Sequence, residues 1–122
     1  MENLQAIELR IGNFVEYSNE YVQITDINQD FPTVNMITVD YLEYEEIHAI
    51  ELNEDWLLKF GFIKNRASNY EIGNFCLFSS SSLGFKVHIK THDYDKIEIK
   101  SVHFLQNIYF LFTGKELFDS SF

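Results

Sequence analysis

The sequence predicts an α+β protein, with a small SH3-like antiparallel β-barrel in residues 1–52 and a β-meander with two helices in residues 53–122. Three observations support this prediction. Short segments with apolar residues at every second position occur in both halves, as in strands with one buried face. Two segments have helical periodicity and residues suited to helix ends. A length of 122 residues, 46% of them hydrophobic, suits a single domain with its own core.

The first half contains five short strand-like segments. Residues 14–27 predict a β-hairpin, because apolar residues alternate with polar ones on both sides of a turn at Asn19 and Glu20. Pro32 is expected to break the next loop. The remaining strands are predicted at residues 34–39, 41–44 and 47–52. Short strands with tight connections favour the SH3-like barrel.

A helix with well-marked ends follows the predicted barrel. Asn53 is a suitable N-cap, because its side-chain oxygen can accept a hydrogen bond from an unpaired backbone N–H. Glu54 and Asp55 lie in the first turn, where the helix dipole favours negative charge. Gly61 is expected to end the helix in the left-handed conformation. Because the helix has only two turns, packing of its apolar side chains has to hold it.

Residues 62–100 predict a β-meander. Strands at 70–72 and 75–78 flank a turn at Gly73 and Asn74. Further alternating segments lie on either side of a turn at 91–95. In these segments one face is apolar, and the opposite face carries Lys86, His88, Lys90, Lys96, Glu98 and Lys100.

The last predicted element is a helix from about 102 to 113, with Ser101 as its N-cap and Gly114 as its C-cap. Helical spacing gives an apolar face of Val102, Leu105, Ile108, Tyr109 and Phe112, widened by Phe104 and Leu111. The same spacing gives a polar face of His103, Gln106 and Asn107. Phe110 falls on that polar face, so it is a candidate for an exposed contact with a protein partner, as is Phe14.

Negative charge is concentrated in the first half of the chain. Residues 1–58 carry thirteen Asp and Glu against one basic residue, Arg10, a net charge of −12. Residues 59–122 carry a net charge of +2, which gives −10 for the whole chain. Such asymmetry indicates a basic partner or a solubilising surface and disfavours nucleic acid. After Glu54 and Asp55 are assigned to the helix dipole, the candidate partner-binding acids are Asp40, Glu43, Glu45, Glu46 and Glu51.

The sequence contains no signature of a known catalytic site. It has no G-x-G-x-x-G, P-loop, G-x-S-x-G or C-x-x-C motif, so we expect a non-catalytic binding protein without metal or cofactor. The single cysteine, Cys76, lies among apolar residues and is expected to be structural. The N-terminal residues do not resemble a signal peptide, and no apolar run is long enough for a membrane span. A cytoplasmic location is therefore expected.

Three segments resemble a group of small proteins from phages and prophages of Bacteroidetes bacteria. They read ELRIGN at 8–13, EDWLLKFGF at 54–62 and VHFLQNIYFLFTGKEL at 102–117. The resemblance implies a phage-related origin and no particular activity. Small acidic phage proteins that block host defence nucleases, anti-CRISPR proteins among them, are similar in size and charge.

Three functional hypotheses follow. The first is an inhibitor that binds a nucleic-acid-handling defence enzyme of the bacterial host, such as a CRISPR effector nuclease, through the acidic residues and Phe110. The second is a small RNA- or DNA-binding module that uses Lys86, His88, Lys90, Lys96 and Lys100. That lysine-rich face is also explained by pairing with Glu98 or by protection of an exposed strand. The third is a phage structural or assembly protein.

Overall fold

The computed structural model describes residues 9–27, 32–34, 46–79, 84–89 and 92–117, and for 26–27, 32–34, 88–89 and 92–96 it describes the backbone alone. These residues form an α+β structure with two antiparallel sheets and two helices. The described strands do not form a closed barrel, so the predicted SH3-like barrel is not confirmed. The chain divides into two compact units, Met1–Glu51 with Ser101–Asn107 and Leu52–Lys100 with Ile108–Phe122.

The first unit contains a four-stranded sheet. In chain order its strands are β1 (Phe14–Tyr17), β2 (Glu20–Ile27), β3 (Pro32–Val34) and β4 (Ile47–His48). Their order across the sheet is β3-β2-β1-β4. The predicted hairpin is therefore present as β1 and β2, and β1 also pairs with β4 far along the chain.

The hairpin turn lies one residue earlier than predicted. Tyr17 pairs with Glu20, which leaves Ser18 and Asn19 as the two turn residues. Both have positive φ, 52° and 65°. This is the conformation of a two-residue turn whose twist matches that of the flanking strands.

The structure differs from the sequence-based predictions at Pro32 and at residues 47–52, and other predicted strands of the first half lie outside the described residues. Pro32 begins the edge strand β3 and does not interrupt a loop, which an edge position permits because proline lacks a backbone donor. Of the predicted strand 47–52, only 47–48 is a strand. The predicted segments 34–39, beyond residue 34, and 41–44 lie outside the described residues.

The core of the first unit comes from alternate residues of its strands. Buried side chains on β1, β2 and β4 meet in one cluster, against which Tyr17 and Ala49 pack. The members of the cluster are Leu9, Val15, Val22, Ile24 and Ile47. Phe14, predicted as a candidate exposed residue, is also buried, so both faces of β1 are covered at its first two residues.

Helix α1 (Glu54–Lys59) begins and ends as the sequence predicts. The Asn53 side chain accepts a hydrogen bond from the Trp56 backbone N–H at 3.1 Å. At the other end Gly61 has a φ of +90°, and the Phe62 N–H donates to the Leu57 carbonyl at 3.0 Å. Left-handed glycine after the last helical turn is a common way to satisfy the final carbonyl groups.

The second unit contains a five-stranded sheet in simple meander order. Its strands are β5 (Ile63–Lys64), β6 (Tyr70–Ile72), β7 (Phe75–Ser79), β8 (Phe85–Ile89) and β9 (His92–Ile99). Gly73 and Asn74 form the predicted turn. The turn predicted at 91–95 is wrong, because β9 already begins at His92. The pairing of β8 with β9 shifts between Lys86 and Val87, so regular alternation does not run the length of β9.

One face of this sheet carries the core of the second unit. Phe75, Leu77 and Val87 are fully buried on it. The Phe75 ring lies edge-on to Phe62 and to Tyr109, with ring centroids 6.2 and 5.2 Å apart. Such edge-to-face pairs are a favoured aromatic geometry.

Helix α2 (Val102–Thr113) has the predicted bounds but not the predicted polar face. His103 and Gln106 are buried, whereas Phe104 and Leu111 are exposed. Phe110 is 41% exposed, as its position suggested. The helix ends at Gly114, whose φ is +72° and whose N–H donates to the Phe110 carbonyl at 2.8 Å. Packing partners, and not residue polarity, therefore decide which sides of α2 are buried.

Candidate functional site

A concave site of about 440 Å³ lies at the tip of the β1–β2 hairpin. Its lining comes from the end of β1, the turn, and the residues around β4. The lining residues are Glu16, Tyr17, Ser18, Asn19, Glu46 and His48. We call this the hairpin-tip site.

Strand pairing brings the two sides of the hairpin-tip site together. Glu16 on β1 is the register partner of His48 on β4. Paired residues of an antiparallel sheet have Cβ atoms about 5 Å apart and share a face. Glu46 immediately precedes β4, so a second carboxylate reaches the site from that strand.

The lining of the hairpin-tip site is acidic. Glu46 is exposed and Glu16 is half-buried, and neither Lys nor Arg is among the described lining residues. His48 is half-buried, and its Nδ1 atom has no hydrogen-bond partner among the described residues. Carboxylates in a concave surface attract cations more strongly than carboxylates on a convex one, because the surrounding protein focuses the field.

Two of the predicted partner-binding acids can be placed. Glu46 lines the hairpin-tip site. Glu51 is exposed and forms an isolated β-bridge with Ser101. Asp40, Glu43 and Glu45 lie outside the described residues. Glu16 is not among the acids that the sequence singles out, because only the pairing of β1 with β4 brings it beside Glu46 and His48.

A buried hydrogen-bond network holds the segment that leads into β1. Gln106, 1% exposed, accepts from the Phe14 N–H at 2.8 Å through Oε1 and donates to the Gly12 carbonyl at 2.9 Å through Nε2. Asn107 Oδ1 accepts from Arg10 Nη1 and from Asn13 Nδ2, both at 2.9 Å. Apart from Phe14, these residues lie in the segments 8–13 and 102–117. Two segments about ninety residues apart in the chain thus meet in one hydrogen-bond network.

The lysine-rich face is only partly a continuous surface. Lys86 is half-buried and pairs in register with Glu98. Lys100 is exposed, and its Nζ lies 3.4 Å from a Glu98 carboxylate oxygen. Lys90 lies outside the described residues, and the side chains of His88 and Lys96 are not described. Glu98 therefore offsets part of the positive charge that this face would offer a phosphate backbone.

Two exposed apolar residues of α2, Phe110 and Leu111, lie next to each other in sequence. Leu111 is 72% exposed and follows Phe110. Both belong to the second unit. Adjacent exposed apolar side chains offer a protein partner a surface that excludes water on contact.

Cys76 does not have the environment of a reactive thiol. Burial, and then the charge of Glu71 on the neighbouring strand, raise the pKa of its thiol. A raised pKa lowers the fraction of thiolate, which is the reactive form. Among the described residues, no three His, Cys, Asp or Glu side chains are grouped to hold a metal ion.

A charged network connects α1 with β5 in the second unit. Lys64 Nζ lies 3.2 Å from Glu54 and 5.9 Å from the centre of the Tyr70 ring. A hydrogen bond from Tyr70, followed by Lys64, lowers the pKa of Glu54. Burial, followed by Glu54, raises the pKa of Tyr70. Glu54 and Lys64 are both exposed, so their ion pair lies on the surface of the second unit.

No protein-family model, curated protein or solved structure matches this chain. In the part of the chain that the structure describes, no helix has the length and apolar character needed to cross a membrane.

Proposed function

We propose that this chain is a phage- or prophage-encoded, non-catalytic protein that inhibits a nucleic-acid-handling defence enzyme of the bacterial host. The observation that carries the proposal is the net charge of −12 in residues 1–58. An enzyme that handles nucleic acid presents a basic surface, which an acidic protein can occupy in place of the nucleic acid. The proposed target is a CRISPR effector nuclease in the cytoplasm of the host.

Two structural features support this proposal. The hairpin-tip site places two carboxylates of the acidic half in one concavity. Phe110 and Leu111 provide exposed apolar surface for the dry part of an interface. In this proposal the first half, predicted as SH3-like, is the scaffold of the acidic surface. Inhibition is steric or allosteric, with no chemical step by this chain.

Co-purification from the native host tests the proposal. The chain, carrying an affinity tag, is expressed in that host, and the captured proteins are identified at low and at moderate salt. We expect one defence nuclease to be enriched and then lost as salt rises, because salt screens charge–charge attraction. Capture of no nuclease, or capture that does not depend on salt, contradicts the proposal.

Charge reversal locates the interaction within the chain. Replacing Glu43, Glu45 and Glu46 by Lys should slow association with the captured nuclease and change dissociation less, because long-range attraction acts on the encounter. The control replaces Glu71, Glu116 and Asp119 by Lys, which changes the net charge equally but in the second half. Equal association rates for the two variants, measured by surface plasmon resonance, would mean that the acids only keep the protein soluble.

A further inference from the structure

Four residues of types that bind metal ions occupy adjacent register positions across the sheet of the second unit. Glu71 on β6 pairs with Cys76 on β7, and Cys76 pairs with His88 on β8. His88 in turn pairs with Asp93 on β9. Directly paired residues share one face of an antiparallel sheet, with Cβ atoms about 5 Å apart. We call Glu71, Cys76, His88 and Asp93 the cross-strand row.

The cross-strand row lies on the face of the sheet opposite the core. Phe75 and Leu77, which flank Cys76 on β7, are buried in the core, so alternation places residue 76 on the other face. On that face Cys76 is half-buried and Glu71 is exposed. A dissolved ion therefore has access to the Glu71–Cys76 pair.

The Glu71 carboxylate and the Cys76 thiol are close enough to interact. After burial, the charge of Glu71 is the second cause that raises the pKa of the Cys76 thiol. Glu71 also accepts a long hydrogen bond, 3.4 Å, from the Asn65 side chain through Oε2. A carboxylate repels a neighbouring thiolate, whereas a metal cation attracts both and deprotonates the thiol that it binds. A cation therefore removes the electrostatic conflict between these two side chains.

The spacing of the cross-strand row is compatible with one ion above Cys76. Cysteine is the shortest residue of the row, and the longer residue types Glu and His occupy the positions about 5 Å away on either side of it. Zinc binds sulfur at about 2.3 Å and imidazole nitrogen or carboxylate oxygen at about 2.0–2.2 Å. Asp93 occupies the position next to His88, and zinc-bound histidines commonly have a carboxylate partner.

The residue types of the cross-strand row favour zinc over magnesium or calcium. Thiolate and imidazole are ligands of zinc, whereas magnesium and calcium prefer oxygen. The sequence alone led to the expectation of no metal, because the four residues lie on four different strands. Only the pairing of those strands makes the residues neighbours.

We propose that the cross-strand row Glu71–Cys76–His88–Asp93 binds one zinc ion, centred on Cys76. The site goes beyond the proposed function and does not depend on it. An ion held by residues of neighbouring strands links those strands, so zinc should stabilise the folded second unit.

Metal titration of the whole chain tests the site. The reduced protein is stripped with EDTA and titrated with Zn²⁺, and with Co²⁺ as a spectroscopic probe. We expect binding of one equivalent, a thiolate-to-cobalt charge-transfer band in the near ultraviolet, and a higher melting temperature with zinc. Cys76→Ser should abolish the band, and His88→Gln should weaken zinc binding by more than about tenfold. His92→Gln is the matched control, because residue 92 pairs with Ile89 on the opposite face.

Alkylation of the wild-type thiol gives a readout that does not depend on the folding of any variant. Iodoacetamide should modify Cys76 more slowly in the presence of Zn²⁺ than in the presence of Mg²⁺, since bound zinc occupies the sulfur. Equal rates with the two ions would overturn the proposal. A cobalt complex without the thiolate band, or equal weakening of zinc binding by His92→Gln and His88→Gln in variants with native circular dichroism, would overturn it as well.

Discussion

At the scale of single residues, Gln106 has the most demanding position. Its amide is buried and bonds two backbone groups, the Phe14 N–H and the Gly12 carbonyl. A buried polar group without a partner costs about 1–3 kcal/mol. Gln106, in α2, therefore stabilises the segment before β1, although helical spacing predicted that its side chain faces solvent.

Replacing Gln106 by Ala should lower the free energy of unfolding by about 1–3 kcal/mol, because the buried Phe14 N–H loses its hydrogen bond to this side chain; the Gly12 carbonyl keeps a second donor, Gln23 Nε2. Urea denaturation followed by circular dichroism measures the change. Leu111→Ala is the control on the same helix; its side chain is 72% exposed, so we expect a change within about 0.5 kcal/mol. Equal effects of the two substitutions would contradict the role of the network.

Cys76 gives a prediction about reactivity. Because burial and Glu71 raise the pKa of its thiol, the native protein should react with iodoacetamide more slowly at pH 8 than the urea-unfolded protein. Glu71→Gln should speed the native reaction, since it removes the charge that opposes thiolate formation. The rate of alkylation by mass spectrometry measures both effects. If the native thiol is alkylated as fast as the unfolded one, the raised pKa of Cys76 is contradicted.

At the scale of secondary-structure elements, α1 shows how local sequence sets helix ends. It has six residues, so few of its backbone groups are bonded within the helix. Asn53 and Gly61 satisfy groups at its two ends. Trp56 and Leu57 are buried and hold the helix by packing. The caps determine where the helix starts and stops, and packing determines whether it persists.

Asn53→Ala should destabilise the protein by about 1 kcal/mol, because the Trp56 N–H loses its acceptor. Asn53→Ser keeps a capping oxygen and should lie close to the wild type. Thermal unfolding by calorimetry of both variants measures the difference. The capping role is refuted if Ser and Ala at this position are equally destabilising.

The Glu54–Lys64–Tyr70 network gives a prediction about pH. The pKa of Glu54 is lowered in the folded state, first by Tyr70 and then by Lys64. Its contribution to stability is therefore present above the unfolded pKa and is lost as pH falls through the folded pKa. Wild type should exceed Glu54→Gln in stability at pH 6, and the gap should close toward pH 3, as measured by urea denaturation. A gap that does not depend on pH would exclude ionisation of Glu54 as its cause.

At the scale of the whole molecule, net charge bears on the choice between a protein partner and nucleic acid. A charge of −10 repels a phosphate backbone. The lysine-rich face has Glu98 in register with Lys86 and 3.4 Å from Lys100, which reduces its attraction for phosphate further. The charge distribution thus favours a protein partner over nucleic acid.

We accordingly expect no gel shift of single-stranded RNA by the isolated protein at about 0.15 M salt. Glu98→Gln is an informative variant, since it leaves Lys86 and Lys100 without that carboxylate and should increase any weak binding. Tight binding by the wild type, abolished by Lys86→Glu with Lys100→Glu, would replace the acidic-surface proposal with the nucleic-acid-binding module.

The sequence by itself determined those features whose causes lie within a few residues. Asn53, Gly61 and Gly114 define helix ends, and Gly73 with Asn74 defines a turn, because each acts through a cap or a backbone angle of its own segment. The charge asymmetry also follows from composition alone. Local alternation predicted the first hairpin but placed its turn one residue late, since serine is not among the residues that favour the positive φ found at Ser18.

The tertiary structure alone decided what depends on distant pairing. Glu16 meets His48 because β1 pairs with β4, and nothing near either residue encodes that partner. Gln106 is buried because the segment before β1 packs over it and forms two hydrogen bonds with its amide. The helical pattern alone predicted a solvent-facing side chain. The register shift in the pairing of β8 with β9 likewise means that the lysines of the two strands do not form the regular face that alternation predicts. The hairpin-tip site therefore emerged only with the fold, since strand pairing and burial are set by contacts between segments far apart in the chain.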